Sequence, residues 1–269
     1  MNTNSNTYTV IYTTIVVVLV AAILAFVSQK LGPMQAANEK AETVSQILTA
    51  GQFGDKDHWQ EIGNQATLKF YSENIENAFV IDAEGQKVDE LETGSATVYS
   101  VSQLKAQNYN IKGGSALQIP VYRFSNGTVV IPVYGAGLWG PIWGYIAFDS
   151  SLKNIIGAYF DHDSETPGLG GKIKDDPSFR AQFAGKTVDF SDNTPFAIVK
   201  GGAKGKANAI DAITGATMTS KGLDAAINVW LVAYKAFLGT ACSENDCCCG
   251  GCEGGCCTEC CENETKVEE

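Results

Sequence analysis

The hydrophobic pattern begins with one long apolar run near the N-terminus. Residues 8–29, YTVIYTTIVVVLVAAILAFVSQ, carry no charged side chain and are rich in Val, Ile, Leu and Ala. About 20 such residues cross the hydrocarbon core of a bilayer as a helix. A cleaved signal peptide is the alternative, but no Lys or Arg precedes the run and no clear A-x-A site follows it. We therefore predict an uncleaved transmembrane anchor over residues 1–30.

The pattern changes to helical periodicity after the anchor. The motif LGPM at 31–34 is expected to interrupt the anchor helix, because Pro lacks a backbone N–H. Apolar residues then recur on one helical face, at Ala37, Ala41, Val44, Ile47 and Leu48. Residues 52–110 have a mixed pattern with one strand signal at 77–82, NAFVID. These features predict a membrane-proximal α/β region over residues 31–110.

The middle of the chain has the pattern of strands joined by short turns. The segments ALQIPVYRF and TVVIPVYG flank SNG at 125–127, a combination typical of a β-hairpin. The strand-like segments IWGYIAFD and IIGAYFDHD follow, separated by SSLKN, and PFAIVKG at 195–201 is one more strand candidate. Short turns join antiparallel neighbours, so the sheet is predicted to be largely antiparallel.

Two helices are predicted in the C-terminal half. Asp176 is a natural N-cap with Pro177 in the first helical position. The last helix ends at Gly239, and its N-cap is predicted at Thr219 or Ser220. Its apolar face consists of Leu223, Ala226, Ile227, Trp230, Leu231, Tyr234, Phe237 and Leu238. The predicted fold class is α+β: an N-terminal transmembrane helix, then a soluble domain at 111–239 with a largely antiparallel sheet and flanking helices.

Composition excludes some functions. The net charge of −11 would repel nucleic acid, so we predict no nucleic-acid partner. With only two histidines, a zinc site built on several of them is not available. All nine cysteines lie between Cys242 and Cys261, so the folded body needs no disulfide.

The cysteines belong to a low-complexity tail, residues 240–269. It contains two C-x-x-C pairs, Cys249/Cys252 and Cys257/Cys260. They could bind Zn²⁺ or an iron–sulfur cluster, form disulfides, or have no role, because adjacent cysteines and dense glycine leave the ligand spacing undefined. A metal site in the tail is therefore one open alternative.

The segment DAITGATMTS, residues 211–220, places four small hydroxyl residues before the last helix. A helix N-terminus offers free N–H groups and a positive dipole end, which suit a phosphate. Gly215 and Ala216 would let such a group approach the backbone, and a threonine hydroxyl could bond to a phosphate or be esterified by one. An ordinary capped helix after a turn is the alternative. No G-x-x-x-x-G-K-[ST] loop is present, which argues against a nucleotide triphosphatase.

Two glycine-rich segments add candidates for binding a flat ligand. In HDSETPGLGGKI, residues 162–173, Leu169 lies among glycines and could pack on a ring, although an ordinary glycine-rich loop has the same pattern. In VYGAGLWGPIWGY, residues 133–145, Trp139 and Trp143 lie in a turn between strands. Each tryptophan is either a core residue or a stacking partner for a planar ligand.

Taken together, these segments resemble the FMN-binding domain family, which occurs in the NqrC component of the sodium-translocating NADH:quinone oxidoreductase (Nqr) and in the RnfG component of the related Rnf complex. DAITGATMTS is similar to the flavinylation motif of the family. ETPGLGG and YGAGLWGPIWGYIAFD are similar to two further family motifs, in the expected order. The single anchor and the chain length are more similar to the Nqr component than to the Rnf component.

The resemblance implies a covalent cofactor and a set of residues around it. FMN would be joined through its phosphate to the Thr217 hydroxyl by a phosphoester, which a flavin transferase makes from FAD with Mg²⁺. Thr214, Gly215, Ala216 and Thr219 would complete the motif that the transferase recognises. The implied ring site consists of Trp139 and Leu169, with Glu165, Thr166, Gly168 and Gly170 beside them and Lys200 as a looser match.

The resemblance also implies the function: an electron-carrier subunit of an oxidoreductase that passes electrons from NADH towards ubiquinone and exports Na⁺. Its partners would be the other membrane subunits, the flavin transferase and the membrane. The family places this domain outside the cytoplasm on the bacterial inner membrane, whereas Lys30 and Lys40 weakly favour the opposite orientation; we follow the family. Open alternatives are the Rnf component, a non-redox membrane-anchored flavin-binding module, and a metal-sequestering protein in which the tail is the function.

Overall fold

A computed structural model describes residues 6–114, 116–191 and 194–239 of the chain. The cysteine-rich tail, with the candidate ligands Cys249, Cys252, Cys257 and Cys260, lies outside these residues. The described elements are α1 (Asn6–Ala50), α2 (Lys56–Ile62), α3 (Asn64–Asn74), β1 (Ile75–Ile81), β2 (Lys87–Leu91), α4 (Val101–Gly113), β3 (Ile119–Phe124), β4 (Val129–Ala136), β5 (Pro141–Phe148), β6 (Asn154–His162), α5 (Lys172–Asp175), α6 (Pro177–Ala181), β7 (Lys186–Thr187), β8 (Ala197–Val199), β9 (Ala209–Asp211), α7 (Thr217–Ala233) and α8 (Lys235–Gly239).

The N-terminal apolar run and the amphipathic segment after it form one continuous helix. Helix α1 has 45 residues and includes Pro33, so the predicted interruption at 31–34 is wrong. Pro33 removes one N–H donor, but long helical segments on both sides propagate the helix across it. Within the described residues, α1 is the one helix long and apolar enough to cross a membrane by length and composition. Its apolar N-terminal part is exposed, whereas residues 41–50 pack against the domain.

We expect α1 to remain whole in the mature protein. Signal cleavage would have to cut a helix whose C-terminal end, from Ala41 to Ala50, is buried in the domain. N-terminal sequencing of protein purified from membranes should therefore find a start before Tyr8. A mature start beyond Gln29 would identify a cleaved signal peptide instead.

The main sheet has seven strands in the order β2-β1-β3-β4-β5-β6-β7, and every neighbouring pair is antiparallel. The predicted β3–β4 hairpin is confirmed: the Phe124 N–H donates to Thr128 O at 2.8 Å, and Gly127 has φ +84° in the turn. The PFAIVKG strand, β8, instead pairs with β9 in parallel, because the chain returns through 200–208 before β9 begins. The sheet takes strands from both sides of residue 110, and the division into four segments stays a prediction.

Each face of the sheet is covered by helices. Helices α1, α2 and α3 lie on one face, whereas α7 and α4 cover the other. The last helix, predicted as one element up to Gly239, is divided at Tyr234 into α7 and α8, but its predicted apolar face is buried. Trp230 Nε1 donates to the Tyr134 carbonyl at 2.9 Å. At Gly222 the helix backbone approaches β4 closely, since a Cβ added there would lie 2.3 Å from Ala136 O. This contact determines where the first turn of α7 lies relative to the loop after β4.

Candidate functional site

The N-terminus of α7 lies earlier than the hydroxyl pattern predicts. The N-cap is Ala216 and the helix begins at Thr217, so the prediction of Thr219 or Ser220 as N-cap is wrong. The physical reason is that both hydroxyls have other partners. Thr219 Oγ1 donates to Glu165 Oε2 at 2.6 Å, and Ser220 Oγ accepts the Ile213 N–H at 3.2 Å. Thr217 therefore occupies the first helical position.

Thr217 is exposed at the N-terminal end of the α7 helix dipole. The first hydrogen bond of the helix runs from Ser220 N–H to Ala216 O at 2.9 Å. The N–H groups of Thr217, Met218 and Thr219 hence have no partner within the helix, and the positive end of the helix dipole lies beside them. The side chains of Thr214 and Thr217 are exposed. This arrangement can bind a phosphate and leaves the Thr217 hydroxyl open to esterification.

Gly215 shapes the turn that precedes the helix. Its φ is +84°, in the left-handed region that favours glycine, and the Ala216 N–H closes the turn on Ile213 O at 3.1 Å. A Cβ added at Gly215 would lie 3.0 Å from Leu169 Cδ2. Leu169, from the loop after β6, therefore reaches the threonine motif.

Glu165 joins three of the predicted segments. Its side chain is only 4% exposed, and its two oxygens have different partners. Oε1 accepts the Trp139 N–H at 2.9 Å, and Oε2 accepts the Thr219 hydroxyl at 2.6 Å. Glu165 thus connects the loop after β4, the loop after β6 and the first turn of α7. Hydrogen bonds to an ionised carboxylate are among the stronger ones, so this residue holds the three segments together.

Glycines make room for this carboxylate. A Cβ at Gly170 would lie 2.3 Å from Glu165 Oε2 and 2.6 Å from Thr219 Oγ1, and one at Gly137 would lie 2.3 Å from Glu165 Oε1. Thr166 O accepts the N–H groups of Leu169 and Gly171 at 3.1 and 2.9 Å. Gly168, with φ +76°, completes this tight turn. Gly137 and Gly170 are therefore required because a side chain would collide with Glu165, and Gly168 is favoured because of its positive φ.

The two tryptophans of the glycine-rich turn have different environments. Trp139 is 67% exposed and Leu169 is 44% exposed. Trp143 is half-buried, and its Nε1 donates to Gln46 Oε1 at 3.3 Å. Of the two, Trp139 is therefore the one available to stack on a planar ligand.

Lys200 lies beside the threonine motif without a direct contact to it. It follows β8 and is exposed, and Val199 O accepts the Ala212 N–H at 2.8 Å. Helix α7 holds β8 in place through Asp224 Oδ1, which accepts the Ile198 N–H at 2.6 Å. Burial raises the pKa of the Asp224 carboxyl above its ordinary value, and the hydrogen bond from Ile198 offsets only part of that rise.

Sequence reasoning missed His162 as a residue that supports the site, and it named Ser220 only as a possible N-cap. His162 Nδ1 accepts the Glu165 N–H at 3.2 Å, which orients the loop that carries the carboxylate. Ser220, described above, fixes the turn before α7. Both residues lie inside the quoted motifs, and their ability to form hydrogen bonds was the only indication in the sequence that they support the site. Their partners, however, follow only from the folded chain.

The site therefore combines a helix N-terminus that can bind a phosphate, an exposed hydroxyl, exposed apolar side chains and glycine-rich turns, a set that fits a flavin mononucleotide. The comparison with protein families agrees: the FMN-binding domain matches residues 137–232. This range contains every predicted cofactor residue. The chain thus carries an FMN-binding domain.

Individual relatives indicate which kind of FMN-binding protein this chain is similar to. The NqrC component of the Na⁺-translocating NADH-quinone reductase of Vibrio parahaemolyticus is 31% identical over 193 residues, which are 64% of this chain and 72% of the relative. The same component from Vibrio anguillarum is 42% identical over 106 residues, but that match spans only 38% of this chain and 41% of the relative.

Solved structures agree. The crystal structure of NqrC from Parabacteroides distasonis is 31% identical with a TM-score of 0.64, and the match covers 77% of this chain and 96% of that one. The Shewanella oneidensis NqrC structure, 24% identical with a TM-score of 0.58, shares the fold. The chain belongs to the NqrC family, whose members are a component of the Na⁺-translocating NADH-quinone reductase. The relatives favour this assignment over the RnfG component of the Rnf complex.

Proposed function

We propose that this chain is the flavin-carrying electron-transfer subunit of a membrane Na⁺-translocating NADH:quinone reductase, with FMN joined by a phosphoester to Thr217. The observation that carries this proposal is the exposed Thr217 hydroxyl at the first position of α7, next to N–H groups without helical partners. When bound, FMN supplies the redox chemistry, and the protein supplies position and electrostatics.

The surrounding residues have separate roles in the proposal. The N–H groups of the first turn of α7 bind the phosphate, and the small residues Gly215 and Ala216 leave room for the transferase. Trp139 and Leu169 pack on the ring. Glu165 holds the Trp139 backbone and Thr219 in place through the hydrogen bonds described above, while Thr166, Gly168 and Gly170 build the loop beside the ring. Thr214 belongs to the recognised motif, and Lys200 extends towards the cofactor.

Helix α1 anchors this site in the bacterial inner membrane by a single pass, with the soluble domain outside the cytoplasm. The partners are the other membrane subunits of the complex and, during maturation, a flavin transferase that uses FAD and Mg²⁺. Electrons pass from NADH towards ubiquinone, and this transfer is coupled to Na⁺ export. The length and apolar character of α1 support the anchor.

The experiment that tests the function uses the chain within the assembled complex. Membranes that contain the other subunits and the flavin transferase receive wild type, Thr217→Ala or Thr217→Ser. We expect Na⁺-stimulated quinone reduction by NADH with wild type, background activity with Thr217→Ala, and recovery with Thr217→Ser, which keeps the hydroxyl. Full activity of a flavin-free Thr217→Ala complex would contradict the proposal.

Replacing Trp139 should change the cofactor without preventing its attachment. Because its side chain is 67% exposed, Trp139→Ala removes little core packing. We expect the covalently attached flavin to show a shifted visible spectrum and midpoint potential. The control is Leu138→Ala, which truncates the neighbouring side chain, 50% exposed. If the spectrum and potential match wild type in both variants, Trp139 does not contact the ring.

A further inference from the structure

A buried polar cluster connects the membrane helix to the loops of the flavin site. Its centre is Asp161, near the end of β6, which is 2% exposed. Asp161 Oδ2 accepts Gln46 Nε2 of α1 at 2.9 Å, and Oδ1 lies 2.7 Å from Lys174 Nζ of α5. Oδ1 also accepts the N–H of His162 at 2.7 Å. A carboxylate so deeply buried requires such partners, because its desolvation is costly.

Each partner leads to a different part of the molecule. Gln46 lies on the same continuous helix as the apolar run and is itself 5% exposed. Its Oε1 accepts Trp143 Nε1 at 3.3 Å, and Trp143 follows Trp139 by four positions on the chain. Lys174 belongs to α5, which begins directly after Gly171 of the flavin-site loop. Asp161 is thus linked to both glycine-rich segments and to α1.

The other contacts between α1 and the domain are mainly apolar, and two exposed hydrogen bonds add to them: Asn64 Nδ2 donates to Asn38 Oδ1 at 2.9 Å, and Lys40 Nζ donates to Ser95 O. Around the cluster, α1 buries Val44, Ile47 and Leu48 against the sheet. Apolar burial is non-directional, so it permits small sliding or rotation of a helix. Hydrogen bonds to a buried carboxylate have defined directions and lengths and so select one arrangement.

We propose that Asp161 is a positioning residue that fixes the flavin site relative to the membrane helix. Through Gln46 it holds α1, and through Lys174 and the His162 N–H it holds the loop that carries Glu165 and Leu169. The orientation of the cofactor relative to the bilayer then depends on this carboxylate. This inference rests on the proposed function for the presence of the flavin. The contacts of Asp161 with Gln46, Lys174 and His162 do not depend on the flavin.

The test compares Asp161→Asn and Gln46→Leu with wild type, as full-length, flavin-loaded chains in lipid nanodiscs. Asp161→Asn removes the negative charge that Lys174 faces. Gln46→Leu removes the hydrogen bonds of α1 to Asp161 and Trp143. Both should leave FMN on Thr217 by intact mass. We expect lower time-resolved anisotropy of the flavin, altered flavin quenching by lipids with nitroxide headgroups, and faster hydrogen exchange in residues 163–171. The last effect is decisive for Gln46→Leu, since the hydrogen bonds of the Gln46 side chain go to Asp161 and Trp143 and not to that loop.

The matched control is Tyr234→Phe, which also removes a buried hydrogen bond, from Tyr234 Oη to Pro120 O at 2.6 Å. Tyr234 lies about 26 Å along α7 from Thr217. This variant should lower the melting temperature but leave the flavin and loop signals unchanged. The inference is overturned if Asp161→Asn and Gln46→Leu behave in the same way as the control. Because hydrogen exchange needs no flavin, a wild type without FMN would overturn the proposed function and still allow this test.

Discussion

Thr217→Ala should abolish covalent FMN while leaving the free energy of unfolding almost unchanged. A phosphoester needs the hydroxyl, and alanine removes only that group and a methyl. In the described part of the chain, the Thr217 side chain is exposed and has no hydrogen-bond partner. Alanine is also a good helix former at the first position of α7, so the helix should lose little.

The measurement is peptide mass mapping of the fragment that holds residues 211–221, after co-expression with an active flavin transferase. Thr217→Ser keeps the hydroxyl and should carry FMN. Thr214→Ala should lower the yield without moving the bond. FMN on Thr214 or Thr219, or none in wild type, would refute the assignment, and the last result would favour a module that binds flavin reversibly.

Thr219→Ala, in the same experiment, should affect both flavin attachment at Thr217 and the free energy of unfolding. Thr219 is 1% exposed and donates to Glu165 rather than capping the helix. Its loss leaves a buried carboxylate oxygen with one partner fewer, so we expect about 2 kcal/mol less unfolding free energy. Attachment at Thr217 should become less efficient because the first turn of α7 is held less firmly.

Gly222→Ala should have the largest effect on stability among these variants. The added Cβ would lie 2.3 Å from Ala136 O, a backbone atom of β4 that cannot rotate away. Ala136 is moreover paired with Pro141 of β5, so moving it disturbs the sheet. We expect a loss of about 3 kcal/mol of unfolding free energy from overpacking. This loss exceeds the gain of about 1 kcal/mol in helix propensity from Gly to Ala.

The variant should also reduce flavin attachment, because displacement of α7 moves Thr217 away from the loop after β4. Urea unfolding of the full chain in detergent, followed by tryptophan fluorescence, measures the first effect, and intact mass measures the second. The matched control is Gly239→Ala, a helical glycine whose added Cβ would meet nothing within 4 Å. Equal stability of the Gly222 variant and wild type would show that α7 does not pack this closely.

Local pattern was sufficient for much of the fold and for the motif. The apolar run of α1, the β3–β4 hairpin and the buried face of α7 follow from periodicities that depend on neighbours a few positions apart. The prediction of Thr217 as the attachment residue is similarly local, since it rests on a hydroxyl, small neighbours and a following helix, and it stays a prediction. These features were all accessible without the tertiary structure.

The tertiary structure decided where the polar groups find their partners. The carboxylate of Glu165 accepts a hydrogen bond from the Thr219 hydroxyl, 54 positions further along the chain. Thr219 is then not available as the N-cap of α7, and Ala216 occupies that position. Asp161 likewise meets Gln46 across 115 positions. No periodicity encodes such pairs, because hydrogen bonds between distant segments form only after the strands and helices have packed. The sequence by itself thus predicted the long apolar helix, the antiparallel strands in the middle of the chain and a helix directly after the threonine motif, whereas packing determined how they join.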